Sequence, residues 1–161
     1  MDPQKIVQLG ELDRATSQWR SLGKKLVATN GCFDLLHVGH VRYLQTARSL
    51  GDALVVGING DASTRRLKGE GRPINNENDR AEIIAALAFV DLVTIFPEVR
   101  AVRFLELARP AIYVKGGDYT IDSLDPAERD VLNRLGAEIR IIPFENGYST
   151  SRTIGKLTPE A

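Results

Sequence analysis

The chain has little of several residue types, and each scarcity excludes a class of protein. Cys32 is the one cysteine among 161 residues, which excludes an internal disulfide and favours a reducing, cytoplasmic setting. Lys plus Arg and Asp plus Glu both number 21, so the chain lacks the positive charge that binds nucleic-acid backbone. No apolar run approaches the roughly 18 residues of a membrane span, and the first residues lack a signal-peptide core. We therefore expect neither nucleic acid nor membrane as a partner.

What is present is typical of one globular domain, with 43% hydrophobic and 26% charged residues. Apolar runs that suit strands alternate with stretches of helical spacing, which predicts a Rossmann-like α/β/α sandwich with about five parallel strands. We divide the chain into an N-terminal helical segment, 1–23, and the main part of a single domain, 24–157. The predicted strands are 24–30, 53–59, 91–96, 111–115 and 137–143. The predicted helices are 11–22, 41–50, 61–67, 78–89, 98–108, 126–135 and 149–157.

Three polar or glycine-rich loops follow predicted strands, at 31–39, 59–61 and 116–119. Ligands of such sheets bind at the carboxyl ends of the strands, so these loops should converge on one crevice. The segment 145–151 could close the same edge.

Both histidines of the chain, His37 and His40, lie within four residues of each other. They follow a predicted strand and a glycine turn and precede a predicted helix, and a helix start is a natural site for phosphate. Two imidazoles there could donate hydrogen bonds to phosphate oxygens. The alternative is one histidine that caps the helix and one that packs in the core.

The run from Gly31 to His40, Gly-Cys-Phe-Asp-Leu-Leu-His-Val-Gly-His, resembles the signature of the HxGH nucleotidyltransferases, the cytidylyltransferase-like superfamily. The resemblance extends from about residue 24 to 156. It implies a direct in-line attack on the α-phosphate of a nucleotide, with pyrophosphate as the leaving group and no covalent intermediate. It also implies Mg²⁺ and a homodimer.

The resemblance and the predicted loops together assign three sets of candidate residues. The catalytic set is His37, His40, Lys68 and Lys115. The set that binds ATP is Thr29, Asn30, Gly31, Cys32, Phe33, His37, Gly39, His40, Lys115, Gly116, Asp118, Glu145, Ser149, Thr150 and Ser151. The set that binds the acceptor substrate is Asp34, Asn59, Arg80, Asp118 and Tyr119, and Asp118 is also the candidate Mg²⁺ ligand.

Several of these residues have plainer interpretations that the sequence leaves open. Lys68 suits a solvated loop charge, Asp34 a loop cap, and Cys32 a structural thiol. Arg80 suits an ion pair on a helix surface with one of its acidic neighbours, Glu77, Asp79 or Glu82. Residues 115–119 suit a simple β-turn after a strand.

Within the superfamily, three stretches resemble the branch that transfers AMP from ATP to D-glycero-β-D-manno-heptose 1-phosphate. These are Gly-Cys-Phe-Asp at 31–34, Lys-Gly-Glu-Gly-Arg-Pro at 68–73 and Val-Lys-Gly-Gly-Asp-Tyr at 114–119. This resemblance implies a separate heptose kinase and phosphatase in the pathway. The alternative activity is a CTP-dependent cytidylyltransferase that acts on glycerol 3-phosphate. A non-catalytic nucleotide-binding domain is a further alternative, which the intact histidine pair disfavours.

Overall fold

The computed structural model describes residues 5–117, 119–143 and 154–155. Strands and helices alternate along the chain, as the sequence predicts. The strands are β1 (Leu26–Gly31), β2 (Ala53–Asn59), β3 (Leu92–Phe96), β4 (Ile112–Gly116) and β5 (Glu138–Ile142). The helices are α1 (Leu12–Ser21), α2 (Val38–Arg48), α3 (Asp61–Lys68), α4 (Glu77–Ala85), α5 (Val102–Ala108) and α6 (Pro126–Leu135), with short 3-10 turns at Leu9–Glu11 and Ile121–Ser123.

The five strands form one parallel sheet in the order β3-β2-β1-β4-β5, which confirms the predicted Rossmann-like architecture. The central strand β1 pairs with β2 on one side and with β4 on the other, so that Thr29 lies between Val56 and Val114. The strand order reverses at β1, and the loops that leave β1, β2 and β4 therefore start side by side. This is where ligands of open α/β sheets bind.

Successive residues of each strand point to opposite faces of the sheet, and each face has its own apolar core. Ala28 and Tyr113 belong to the core that α1, α5 and α6 cover. Val27 and Ile112 belong to the core that α2 and α4 cover. Strand β2 is buried along its whole length, the pattern that its continuous apolar run predicts.

The first described residues, from residue 5 onwards, pair with β3 at the edge of the sheet. Ile6 forms a parallel bridge with Val93 of β3, and the Val7 amide donates to the Val93 carbonyl at 3.0 Å. Leu9 and Leu12 are buried in the core under α5. The helical segment 1–23 thus packs against the sheet through its described residues.

Several predicted helix limits are wrong, and local capping explains the starts of α2 and α4. Helix α2 begins at Val38 rather than residue 41, because His37 is its N-cap. Helix α4 begins at Glu77, one residue early, because the Asn76 side chain accepts from the amides of Asn78 and Asp79. Helix α5 begins at Val102 rather than residue 98. The predicted helix 149–157 lies outside the described residues except for 154–155, which are helical.

The described part of the chain holds no helix with both the length and the apolar character needed to cross a membrane.

Candidate active site

The histidine pair lies at the start of α2, directly beyond the carboxyl end of β1. His37 is the N-cap with extended backbone (φ −136°, ψ 169°), and its carbonyl accepts from the His40 amide at 2.9 Å. The two imidazoles stack with ring centroids 3.8 Å apart and an interplanar angle of 22°. The loop before α2 therefore presents both rings together at the N-terminus of the helix, where the macrodipole favours anions.

Hydrogen bonding and burial set the protonation of His40. Its Nδ1 accepts from the His37 backbone N–H at 3.4 Å, so the neutral ring carries its hydrogen on Nε2. Burial, together with the charges of His37 and Lys68, lowers the pKa of His40 to about 4. Burial also lowers the pKa of His37. At neutral pH the pair therefore offers neutral N–H donors rather than cations.

The turn before the histidines is shaped by Phe33 and Gly31. Phe33 is buried, takes up a left-handed backbone (φ +46°) and meets the His40 ring edge-on at 5.5 Å. A Cβ on Gly31 would lie 3.1 Å from the Phe33 ring, closer than side chains normally approach. Gly31 thus lets Phe33 fold back under His40 and support it. Phe33 therefore packs beneath His40, and its predicted contact with a nucleotide stays a prediction.

Asp34 anchors a second loop to the histidine loop. The carboxylate is 3% exposed and accepts from the amides of Ile74 (2.7 Å) and Asn75 (3.2 Å). It also pairs with the Nε of Arg72. Of the two open interpretations, loop anchor or acceptor contact, the carboxylate has the contacts of the first. The loop after α3 is therefore fixed against the histidine loop.

The buried side chain of Arg80 bonds to several parts of the protein next to the histidine loop. It is 1% exposed, and its guanidinium donates to the carbonyl of Asn75 (3.0 Å), the carbonyl of Cys32 and the carboxylate of Asp61 (2.9 Å). The surface ion pair with Glu77, Asp79 or Glu82 is wrong, because the side chain turns inward and pairs with Asp61 instead. Arg80 joins the histidine loop, the start of α3 and the loop before α4.

Thr29 and Asn59 also lie inside the protein. The Thr29 hydroxyl is buried against the Tyr43 hydroxyl at 2.7 Å. The Asn59 amide is 2% exposed and donates to the Glu98 carbonyl at 3.1 Å. Both side chains were predicted to contact ligands. In the structure both bond to neighbouring parts of the fold, and their ligand contacts stay predictions.

Lys115 lies near the end of β4 at the same sheet edge, on the side of the sheet opposite α2. Its ammonium lies 3.4 Å from the Asn30 amide oxygen and 3.3 Å from the Tyr113 hydroxyl. It also lies 5.2 Å from the centroid of the Tyr119 ring, which is 45% exposed. Burial lowers the pKa of Lys115, while the carboxylate of Glu128 raises it.

The remaining predicted residues lie either near the crevice or outside the part of the chain that the structure describes. Lys68 is exposed at the end of α3, and its charge acts on His40. Gly39 lies in the first turn of α2, Cys32 is half-buried in the turn after β1, and Gly116 is the last residue of β4. The predictions on Asp118, Glu145, Ser149, Thr150 and Ser151 fall outside the described residues.

Sequence reasoning missed three buried polar side chains near the site, Tyr43, Tyr113 and Glu128. Tyr43 donates to the Val114 carbonyl at 3.1 Å, and Tyr113 donates to the Asn30 amide oxygen at 2.6 Å. Glu128 accepts from the Ala101 amide at 2.7 Å. Their hydrogen-bond partners are distant in the sequence, so no local sequence pattern could predict these contacts.

A cavity of about 460 Å³ lies beside the first turn of α3, on the β3 side of the histidines. Its lining residues include Val7, Leu9, Asp61, Glu77 and Pro97, and none of the predicted site residues. Within the described ranges no three His, Cys, Asp or Glu side chains cluster as metal ligands would. Mg²⁺ usually takes one or two carboxylates and otherwise the phosphates of a substrate, so this finding is compatible with an ion that arrives with a nucleotide.

Comparison with family models and with curated proteins shows which known proteins this chain resembles. A model described as cytidylyltransferase-like matches residues 28–156. The bifunctional protein HldE of Citrifermentans bemidjiense is 52% identical over 153 residues, which cover 95% of this chain and 31% of that protein. HldE of Geobacter metallireducens is 49% identical over the same shares. The chain spans about a third of the length of these curated relatives.

Two solved structures are similar in fold. The lipopolysaccharide core biosynthesis protein of Thermoplasma volcanium superimposes with a TM-score of 0.63 and 34% identity, covering 79% of this chain and 100% of that one. Pantoate-beta-alanine ligase of Francisella tularensis gives a TM-score of 0.60 at 15% identity, covering 93% and 72%. The second likeness concerns the fold alone.

Proposed function

We propose that this chain, which belongs to the cytidylyltransferase-like family, transfers the adenylyl group of ATP to D-glycero-β-D-manno-heptose 1-phosphate. The products are ADP-heptose and pyrophosphate. The observation that carries the proposal is the stacked pair His37 and His40 at the start of α2, in a chain about 50% identical to proteins named HldE. The family match also confirms the resemblance that the run 31–40 suggested.

The histidine pair would act on the nucleotide as two neutral donors at a helix N-terminus. The helix dipole attracts the phosphates, and the Nε2–H of His40 can donate to an oxygen whose charge grows as the α-phosphate is attacked. Such donors stabilise the transition state without gaining or losing a proton. The sugar phosphate is itself the nucleophile, so the site requires positioned donors rather than a nucleophilic side chain.

Lys68 and Lys115 would supply the positive charge that neutral histidines lack. Lys68 approaches from the end of α3 and acts electrostatically on His40, and Lys115 lies at the end of β4. Lys68, on the helix that follows β2, and Lys115, on β4, belong to elements on either side of β1. We assign them to the phosphates of the nucleotide, which enters as its Mg²⁺ complex.

The chemistry of the acceptor defines the reactions around this one. As the family resemblance implies, a sugar kinase and a phosphatase supply the sugar 1-phosphate, and a glycosyl transfer consumes the activated sugar. We place the reaction in the cytoplasm, where ATP is available, and expect a homodimer, as the family resemblance implies.

The deciding experiment measures pyrophosphate release with Mg²⁺ and heptose 1-phosphate, with ATP and CTP compared at equal concentration. Rapid release with ATP, and formation of ADP-heptose by mass spectrometry, is the expected result. Release with CTP, or with glycerol 3-phosphate as the required acceptor, would move the chain to the cytidylyltransferase branch.

A matched control separates absence of activity from loss of folding. The variant His40→Ala should keep the circular-dichroism spectrum and melting temperature of the wild type while losing pyrophosphate release. If neither the wild type nor the variant releases pyrophosphate with any acceptor, the chain is a binding domain and not a transferase. If both release it at the same rate, His40 takes no part in the reaction.

A further inference from the structure

Asn30, Tyr113 and Lys115 form a closed polar triangle at the carboxyl ends of β1 and β4. We propose that Tyr113 and Asn30 are positioning residues that hold the Lys115 ammonium at the edge of the crevice, aimed at the phosphates of the nucleotide. The proposal rests on the proposed function, because it assigns Lys115 to that reaction. Neither Tyr113 nor its role is evident from the sequence.

The parallel register of the sheet brings the three side chains together. Ala28 of β1 pairs with Tyr113 of β4, and Asn30 and Lys115 each lie two residues further along their strands. Residues two apart face the same side of a sheet, so all three side chains face the layer of α5 and α6. The two histidines lie on the far side of β1, at the start of α2. Side chains from both faces of the sheet thus lie at the crevice.

The direction of the hydrogen bonds suits a cation at Lys115. The Tyr113 hydroxyl donates its single hydrogen to the Asn30 amide oxygen at 2.6 Å. Its oxygen can then only accept, and the Lys115 Nζ lies 3.3 Å away as the donor. The same Nζ lies 3.4 Å from the Asn30 oxygen. Two of the three N–H donors of Lys115 are thereby directed at Asn30 and Tyr113. We assign the third to a phosphate oxygen.

Rings and charges around Lys115 complete its environment. The Tyr113 and Tyr119 ring centroids lie 5.9 and 5.2 Å from Nζ, within the range of a cation–π contact. Glu128 on α6 and Cys32 after β1 raise the pKa of Lys115, whereas burial and Arg100 before α5 lower it. Hydrogen bonds to the charged form of a half-buried amine favour that form, and the Asn30 and Tyr113 oxygens are the acceptors that can make them.

Tyr43 offers a matched control on the opposite face of the same pair of strands. Like Tyr113 it is buried, and its hydroxyl spans β1 and β4 by contacting Thr29 and the Val114 carbonyl. Its hydrogen bonds include neither Lys115 nor Asn30. Tyr43→Phe and Tyr113→Phe therefore each delete one buried hydroxyl that contacts both β1 and β4. Only the second removes a hydrogen-bond partner of Lys115.

The experiment is a double-mutant cycle on kcat/KM for ATP with Tyr113→Phe and Lys115→Met, each checked for an unchanged fold by thermal denaturation. Tyr113→Phe should lower kcat/KM about tenfold, as expected for one lost hydrogen bond to a charged group. In the Lys115→Met background the same change should have no further effect. Tyr43→Phe should leave kcat/KM within about twofold of the wild type. Additive losses, or an equal loss in Tyr43→Phe, would overturn the proposal.

A second readout needs no turnover. Brief acetylation at several pH values, followed by peptide mass spectrometry, reports how readily the Lys115 amine reacts. Tyr113→Phe should make it react faster than in the wild type or in Tyr43→Phe, because the amine is then less often charged and less firmly held. Equal rates in all three proteins would contradict the positioning role. If the wild type shows no adenylyl transfer, the proposed function fails, and this comparison still tests whether Tyr113 holds Lys115.

Discussion

The loops at the carboxyl edge of the sheet carry two sets of polar side chains with different surroundings. His37, His40 and Lys68 lie at the crevice, where Lys68 is exposed and the histidines are half-buried. Asp34 and Arg80 are buried almost completely, and their hydrogen bonds run to other loops of the same protein. Asp34 and His37 lie only three positions apart, so position in the sequence does not decide which set a residue joins. Burial does, because a buried charge must be matched within the protein.

Substitutions in the two sets of residues should have different effects. Removing a crevice residue should affect catalysis and spare the fold, whereas removing an interior residue should affect the fold first. The crevice residues work because the interior residues fix the histidine loop, the start of α3 and the loop before α4 in one arrangement. Each prediction below tests one side of this division.

The largest effect is expected at Arg80, on the interior side. Arg80→Met leaves the Asp61 carboxylate and the carbonyls of Cys32 and Asn75 without their donor, and should lower the free energy of unfolding by at least about 3 kcal/mol. Urea denaturation measures this. Arg103→Met, which removes an arginine that is 59% exposed, is the control and should change stability by less than about 0.5 kcal/mol. Equal stabilities for the two variants would mean that Arg80 is not a structural hub.

The next effect is expected on the crevice side. His37→Ala and His40→Ala should each lower kcat about 100- to 1000-fold, the loss typical of one transition-state donor, with little change in the KM for ATP. Steady-state pyrophosphate release measures both constants. A variant that melts well below the wild type, or that retains more than a tenth of kcat, would place its histidine with the interior residues.

The smallest effect is a pH dependence of stability that comes from His40. Its pKa is about 4 in the folded protein, below the ordinary value of 6.5, so the unfolded chain binds the proton more readily. Stability from this group is therefore present above pH 6.5 and is lost as the pH falls towards 4. Urea denaturation across this range should give a shallower pH dependence in His40→Asn than in the wild type. Parallel curves would show that His40 is not held neutral by the fold.

Part of the fold follows directly from local sequence signals. Strand β2 has the predicted limits because its apolar run is continuous and bounded by polar residues. Helix α6 also has the predicted limits, since Pro126 fixes its first turn and Gly136 ends it with a left-handed backbone. These elements carry their own start and stop signals.

The rest depends on partners that are far away in the sequence. The start of α5 was placed four residues early, because residues 98–101 resemble a helical turn, and the Ala101 amide is in fact held by Glu128 from α6. The inward turn of Arg80 depends on Asp61 and Cys32, which lie 19 and 48 residues away. Sequence patterns therefore located the crevice, and the structure was needed to separate the residues that line it from those that support it.

The bridge between Ile6 and Val93 has a consequence for solubility. Strand β3 is the last strand on its side of the sheet, and an uncovered outer strand offers a row of N–H and C=O groups to any other chain. The first described residues occupy part of that row and bury Leu9 beneath α5. Removing these residues would expose both the edge of β3 and an apolar gap beneath α5, so this segment protects that edge from non-specific pairing with other strands.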